Sequence, residues 1–262
     1  MDDFEHLQPF ESGEVHSFAK VPSEELNSIP RTNVPTLKEI ISLIEKCTYK
    51  VGMHEFVADI FELSAIAVSN RFCMNTEREK QYKMIIEKYD KNTQELIVEI
   101  FTKIFILLST QIYNGFDDYL GKLYMMSMTS NSKTGQFFTP YNLSRLCAKL
   151  NIQKGEINKY IEEDRIITMH EPTCGAGGMI ISAADVIYNE CGFNISRNLF
   201  VECGDIDRRC VHMTYLQLSL AGIPAIIYHR DGLSLATWDK WETPAYIMNW
   251  PRFKNVLGGD KK

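Results

Sequence analysis

Three glycines in a run of four residues, Gly175, Gly177 and Gly178, lie between a short apolar segment and an apolar helical stretch. A strand, a glycine turn and a helix in that order let a ligand approach the backbone where side chains would otherwise collide. The helix beginning at about Gly178 aims its amide dipole at that ligand, which suits a carboxylate or a phosphate. About one βα unit later, Cys203-Gly204-Asp205-Ile206-Asp207 ends the next strand. An acid at that point can accept hydrogen bonds from ribose hydroxyls. Arg230-Asp231-Gly232-Leu233 follows the third strand, where a carboxylate could receive an adenine amino group. Each piece alone has a plain structural reading, because acids at strand ends often cap the next helix. Three in register at the carboxyl ends of consecutive strands point to a nucleoside-bearing ligand.

The elements that must position these residues are legible in the apolar spacing. Arg165 to His170 reads as a buried strand, Asn198 to Glu202 as a second, Ala225 to Tyr228 as a third and Ala245 to Met248 as a fourth, with a helix ending at Leu220 after the second. Strands alternating with helices predict a parallel sheet covered on both faces. Before it, residues 36–130 read as helix throughout. Thr36-x-x-Glu39 is a capping box, and Phe56, Ile60, Leu63 and Ala67 recur at helical steps between Met53 and Phe72. A further helix is expected from about Thr76 to Tyr89, and Asn92-x-x-Glu95 offers a cap for an apolar helix from Leu96 to Tyr113. Residues 1–35 are polar and carry Pro22, Pro30 and Pro35, which predicts an irregular arm. The expected domains are thus 1–35, 36–130 and 131–262.

Bulk properties remove several functions. The chain has 262 residues, 45% of them hydrophobic, enough for a proper core. Its net charge of −6 excludes a strong autonomous nucleic-acid binder, since that affinity rests on Lys and Arg neutralising phosphates. Arg145 with Lys149, and Arg208 with Arg209, read as solvated helix faces. No apolar run approaches the roughly 20 residues that cross a bilayer, and Met1-Asp2-Asp3-Phe4-Glu5 lacks the basic start of a secretory signal. We therefore expect a cytoplasmic protein with no membrane contact. The seven cysteines show no paired CxxC spacing. Even Cys203, Cys210 and His212 straddle a strand end and a helix start, so free thiols and no metal are expected.

Two further segments carry a resemblance. Asp118-Tyr119-Leu120-Gly121-Lys122-Leu123-Tyr124 is similar to D-x-L-G-x-x-Y, and Gly135-Gln136-Phe137-Phe138-Thr139-Pro140 to G-x-F-[FY]-T-P. Over roughly Asp118 to Phe253 the sequence resembles the modification subunit of type I restriction systems and related adenine-specific DNA methyltransferases. The resemblance implies an N-terminal helical bundle followed by a Rossmann-like α/β sheet that binds S-adenosylmethionine. It implies that Gln136, Phe137, Phe138, Thr139 and Pro140 lie over the cofactor. Glu171-Pro172-Thr173-Cys174-Gly175-Ala176-Gly177 is similar to the family's [DN]-P-[TA]-[CG]-G-[ST]-G, with Glu for Asp and Ala for Ser or Thr. By the same resemblance Glu171, Thr173, Gly175, Gly177, Ile206 and Gly232 contact the cofactor, while Asp205 takes the ribose position and Asp231 the adenine position.

The family's catalytic tetrapeptide, [DN]-P-P-[YFW], holds the amine of a flipped-out base and stacks on its ring. The matching place reads Asn249-Trp250-Pro251-Arg252-Phe253, without the double proline and with one inserted residue. Asn249, Pro251 and Phe253 are therefore the candidate catalytic residues. Nine residues beyond Phe253 are too few for the strands that complete the family's sheet. The sheet is accordingly expected to be incomplete, about four parallel strands with an exposed edge that invites a homo-oligomer. The implied activity is methyl transfer from S-adenosylmethionine to adenine in DNA, with a partner specificity subunit or domain reading the sequence. The alternatives are a catalytically inactive cofactor-binding module for regulation or assembly, and a methyltransferase acting on protein or a small molecule.

Overall fold

The structure, a computed structural model, describes residues 34–48, 52–128 and 138–257. Almost all of the expected N-terminal arm, together with Gln136 and Phe137, lies outside the described residues. The chain divides into Met1–Asn33 and Val34–Lys262, and every described helix and strand belongs to the second unit.

Helices α1 (Leu37–Cys47), α2 (Met53–Phe72), α3 (Thr76–Ile86), α4 (Lys91–Ser109), the short α5 (Gln111–Asn114) and α6 (Tyr119–Met128) come first. The capping box of α1 is present, with the Thr36 amide donating to the Glu39 carboxylate at 2.7 Å and the Glu39 amide to the Thr36 hydroxyl at 3.3 Å. One expected cap is displaced: α4 starts at Lys91 and is capped by Asp90, not Asn92, because the Asp90 carboxylate accepts from both the amide and the hydroxyl of Thr93. The helix also stops at Ser109, where the Thr110 hydroxyl turns back onto the Ile106 carbonyl at 2.7 Å.

Helices α7 (Tyr141–Asn151) and α8 (Lys154–Glu162) lead into β1 (Ile167–Glu171), α9 (Gly178–Asp185), a π-helical turn (Val186–Glu190) and α10 (Ile195–Asn198). After these come β2 (Leu199–Asp205), α11 (Arg208–Leu220), β3 (Ala225–Arg230), β4 (Thr237–Glu242), α12 (Pro244–Met248) and α13 (Trp250–Leu257). The strands lie in the order β1-β2-β3-β4. β1, β2 and β3 are parallel, and β4 returns antiparallel to β3.

The α/β class is as expected, but the last strand is not. Residues 245–248 are helical, because Thr243 caps the Tyr246 amide and Pro244 occupies the first turn. The fourth strand is instead Thr237-Trp238-Asp239-Lys240-Trp241-Glu242, whose charges hide its period: only Trp241 is buried. Charged side chains are what an edge strand uses to discourage further pairing. The sheet therefore has three parallel strands and a hairpin, not four parallel strands.

Alternation along β2 and β3 sorts the core. Leu199, Val201, Cys203, Ala225 and Ile227 join a main core that runs on through the helices to Ile40, while Phe200 and Ile226 face a smaller cluster with Tyr246 and Phe253. In the main core His212 is fully buried, its ring 5.1 Å from that of Trp241 and its Nε2 without a hydrogen-bond partner. Burial, then the nearby Arg208, Arg78 and His229, hold its pKa well below the ordinary 6.5. A depressed imidazole pKa gives stability that is complete above about pH 6.5 and is lost as the pH falls toward the folded value. Urea midpoints should therefore fall as the pH drops from about 6.5 toward 5, and His212→Gln should flatten that slope. An equal slope in both proteins would refute this assignment.

Candidate functional site

The glycine turn sits between β1 and α9, and its backbone is held on every side. Gly175 and Gly177 adopt φ of 55° and 92°, a region that side chains disfavour. The Gly175 amide donates to Asp205 Oδ2 at 2.9 Å, and the Cys174 amide to the Gly204 carbonyl at 2.9 Å, which ties the turn to the end of β2. Asp205 Oδ1 accepts the Asp207 amide at 2.9 Å, so one carboxylate orders both loops.

Two residues on one face of α11, one turn apart, hold the carbonyls of the turn. Thr214 Oγ1 donates to the Gly175 carbonyl at 2.8 Å, and Gln217 Nε2 to the Ala176 carbonyl at 2.6 Å. Gln217 also donates to Asp118 Oδ1 at 2.8 Å and accepts the Leu120 amide at 3.3 Å, joining the turn to α6. Asp118 is buried, and that burial raises its carboxyl pKa against the lowering effect of the Gln217 and Gly121 hydrogen bonds. A Cβ on Gly178 would lie 2.8 Å from Asp118 Oδ2, so a larger residue there would push the Asp118 carboxyl out of place. Thr214 and Gln217 carry no signal in the sequence, since a polar pair three residues apart inside an apolar helix looks like ordinary surface until the turn is seen beneath it.

The other expected residues fall around this turn to differing degrees. The Phe138 ring lies where a Cβ on Gly175 would be within 3.1 Å of it, and its other neighbour is the Tyr124 ring at 5.7 Å. Thr139 and Pro140 follow directly and Pro140 caps α7. Glu171 accepts the Thr173 amide at 3.3 Å, bracing the start of the turn. Gly232 meets the same segment: a Cβ there would be 3.2 Å from the Pro172 carbonyl. Ile206 is 63% exposed beside Asp205, its carbonyl 3.1 Å from His229 Nε2, and the His229 ring is 4.8 Å from that of Trp238. This leaves an exposed apolar surface near the end of β2, of which Trp238 was not anticipated because β4 was not. Asp231 turns inward on its own loop, accepting the Leu233 amide at 2.9 Å and the Ser234 hydroxyl at 2.9 Å, bonds that lower its pKa.

Asn249, Pro251 and Phe253 are not brought to this place. Phe253 is fully buried and stacks on Phe200 near the amino end of β2. Arg252 binds Asp164 and the Arg197 carbonyl, residues that precede β1 and β2. The Asn249 amide donates to the Ala245 carbonyl at 2.8 Å, ending α12. The segment therefore lies at the amino end of the sheet, opposite the glycine turn. Its displacement follows from the hairpin, which returns the chain to the start of β3, where the Thr243 amide donates to the Ala225 carbonyl at 3.0 Å.

A model of the N-6 DNA Methylase family matches residues 116–261, more than half of the chain. The chain belongs to that family. The match opens just before Asp118 and takes in the glycine turn, so α6 and its Gln217 link are part of the family domain. Among solved structures, the chain is similar to a protein from Listeria monocytogenes described as a class I S-adenosylmethionine-dependent methyltransferase. The identity is 13%, over 68% of this chain and 54% of that one, with a TM-score of 0.36. It is also similar to the methyltransferase subunit of a type I restriction-modification system from Streptococcus thermophilus, at 13% identity over 74% of this chain and 57% of that one, with a TM-score of 0.34. The chain thus spans a little over half the length of either. Both overlays are loose, and the family match carries the assignment. No curated protein matches the chain. Among the described residues no helix is long and apolar enough to cross a membrane, and no three His, Cys, Asp or Glu side chains are grouped to hold a metal ion.

Gln217→Leu keeps the volume of the side chain but leaves the Ala176 carbonyl without its side-chain donor and the Asp118 carboxyl with only the Gly121 amide of the pair that holds it. A buried polar group left unpaired costs about 1–3 kcal/mol, so the variant should lose that much stability in chemical denaturation. A loss below about 0.5 kcal/mol, the range of neutral surface changes, would show that the turn does not lean on this residue.

Proposed function

We propose that the crevice above the glycine turn binds S-adenosylmethionine, and that the protein serves methyl transfer to the N6 amine of adenine in DNA as one part of a larger assembly. The observation that carries this is the meeting of Gly175, Asp205, Phe138 and Gly232 at one end of the parallel strands. The site suits the cofactor chemically. No side chain caps α9, so the amides of its first turn are available to a carboxylate. Asp205 keeps acceptor sites for ribose hydroxyls beyond those it uses for the Gly175 and Asp207 amides, and Ile206 offers an apolar face to a purine. Glycine at 175 lets the ligand lie against the backbone with Phe138 above it.

Bound S-adenosylmethionine supplies an electrophilic methyl group, and transfer to an amine is an in-line displacement that depends on aim. This chain's residues hold and orient the donor. Gripping the target base is work for a DNA-reading partner subunit or domain, because Asn249 is engaged with Ala245 and Phe253 is closed in the core. That same observation favours a second reading, in which the protein binds cofactor and acts only in regulation or assembly.

Calorimetry with S-adenosylmethionine, paired with transfer of labelled methyl groups to DNA, separates the readings. We expect the isolated chain to bind cofactor, Asp205→Ala to weaken that binding at least tenfold, and Asn249→Ala to leave it unchanged. Transfer that needs an added partner supports the first reading, and binding without transfer under any pairing supports the second. Transfer by the isolated chain that is lost in Asn249→Ala would contradict the division of labour proposed here.

A further inference from the structure

Arg208 and Arg209 read in the sequence as one solvated pair, and the structure separates them. Arg208 is exposed and pairs with Glu62 of α2 at 2.5 Å. Arg209 reaches three separate groups. Its Nε donates to Asp207 Oδ1 at 2.9 Å and one terminal nitrogen to Asp207 Oδ2, the two-pronged grip of a guanidinium on a carboxylate. The other terminal nitrogen donates to the Tyr124 hydroxyl of α6 at 3.1 Å and meets His54 Nε2 at the start of α2.

These contacts close a circuit that begins and ends at the glycine turn. Asp205 accepts the Gly175 amide with one oxygen and the Asp207 amide with the other. Arg209 grips Asp207 and holds the Tyr124 hydroxyl, and the Tyr124 ring lies 5.7 Å from that of Phe138, which abuts Gly175. One guanidinium thus links the acidic loop after β2 to the aromatic ring on the other side of the turn.

A guanidinium has only donors. The His54 nitrogen that faces it must therefore offer a lone pair, so this imidazole is neutral and carries its proton on Nδ1. Among the described residues the groups that act on the ring are Arg209 and Asp207, with the Tyr124 ring 6.5 Å away. On the same helix Glu55 turns to Lys88, at 3.9 Å. Burial first and Arg209 second hold the His54 pKa below the ordinary 6.5, against a smaller opposing effect of Asp207. A proton on Nε2 would set one N–H against another and break the contact.

We propose that Arg209 is a positioning residue for the cofactor, holding Asp207 on one side of the site and, through Tyr124, Phe138 on the other, and that neutral His54 keeps Arg209 in place. The proposal rests on the reading of this end of the sheet as a cofactor site. By it, α2 and α6 act on cofactor affinity without contributing a ligand-binding side chain of their own.

Calorimetry of the full chain with S-adenosylmethionine at pH 7 should show Arg209→Lys and His54→Leu binding about tenfold more weakly than wild type, the cost of a lost hydrogen bond to a charged group. Lysine keeps the charge but lacks the fork. His54→Gln, whose amide oxygen restores an acceptor, should regain most of what His54→Leu loses. At pH 5 the wild type should weaken severalfold as His54 takes a proton, and His54→Gln should not. His170, His212 and His229 are common to both proteins, so the difference between the two profiles belongs to His54. Circular dichroism at each pH checks that the proteins are folded, and if His54→Leu is not, Arg209→Lys and the pH comparison decide the matter. Wild-type affinity in Arg209→Lys, or the same pH dependence in wild type and His54→Gln, would overturn the proposal and leave the cofactor reading standing. Failure of the wild-type chain to bind at pH 7 would remove both.

Discussion

A turn made of glycines has no side chains with which to hold its shape, so the geometry of Gly175 to Gly178 depends on hydrogen bonds brought from elsewhere. The Asp205 carboxylate supplies one, to the Gly175 amide, and Thr214 and Gln217 supply two more to the carbonyls on the other side. These bonds come from the end of β2 and from α11, and through Gln217 they reach Asp118, just before α6. Remove that bracing and the backbone at φ of 55° and 92° has little reason to stay where a ligand could meet it. The helices before the sheet are therefore joined to the glycine turn by polar contacts as well as by the shared core, and Asp118, buried at a cost, is retained at the junction.

The same constraint explains the asymmetry of the two ends of the sheet. At the carboxyl ends the strands release polar loops that bond to one another and leave an apolar wall of Ile206, His229 and Trp238 open. At the amino ends the chain closes on itself, with Phe253, Phe200 and Tyr246 stacked and Arg252 pinned to Asp164. Open surface belongs to the first end and close packing to the second.

Much of this was legible in the sequence. The helix bounds of Met53 and Phe72, the capping box at Thr36, the glycine turn and the acid at 205 all follow from local rules of spacing and capping, which tertiary contacts did not override. Most of what was not legible followed from the fourth strand. Ala245-Tyr246-Ile247-Met248 has the composition of a strand, yet Thr243 and Pro244 supply a helix start, and the real strand was hidden by Asp239, Lys240 and Glu242. Once that strand hairpins against β3, the segment after it is carried to the end of the sheet opposite the glycine turn, with Asn249 and Phe253 in it. Thr214 and Gln217 were hidden for another reason: their partners are backbone carbonyls, which have no letter in the sequence.

The most direct measurement of cofactor binding at the glycine turn is a crystal of this protein soaked with S-adenosylmethionine. Electron density for an adenosine with an amino-acid tail should appear between Phe138, Gly175 and Asp205, with the tail carboxylate toward the first turn of α9 and Ile206 against the purine. Density at any other place on the molecule, or an empty crevice in a crystal held at saturating cofactor, would contradict that claim.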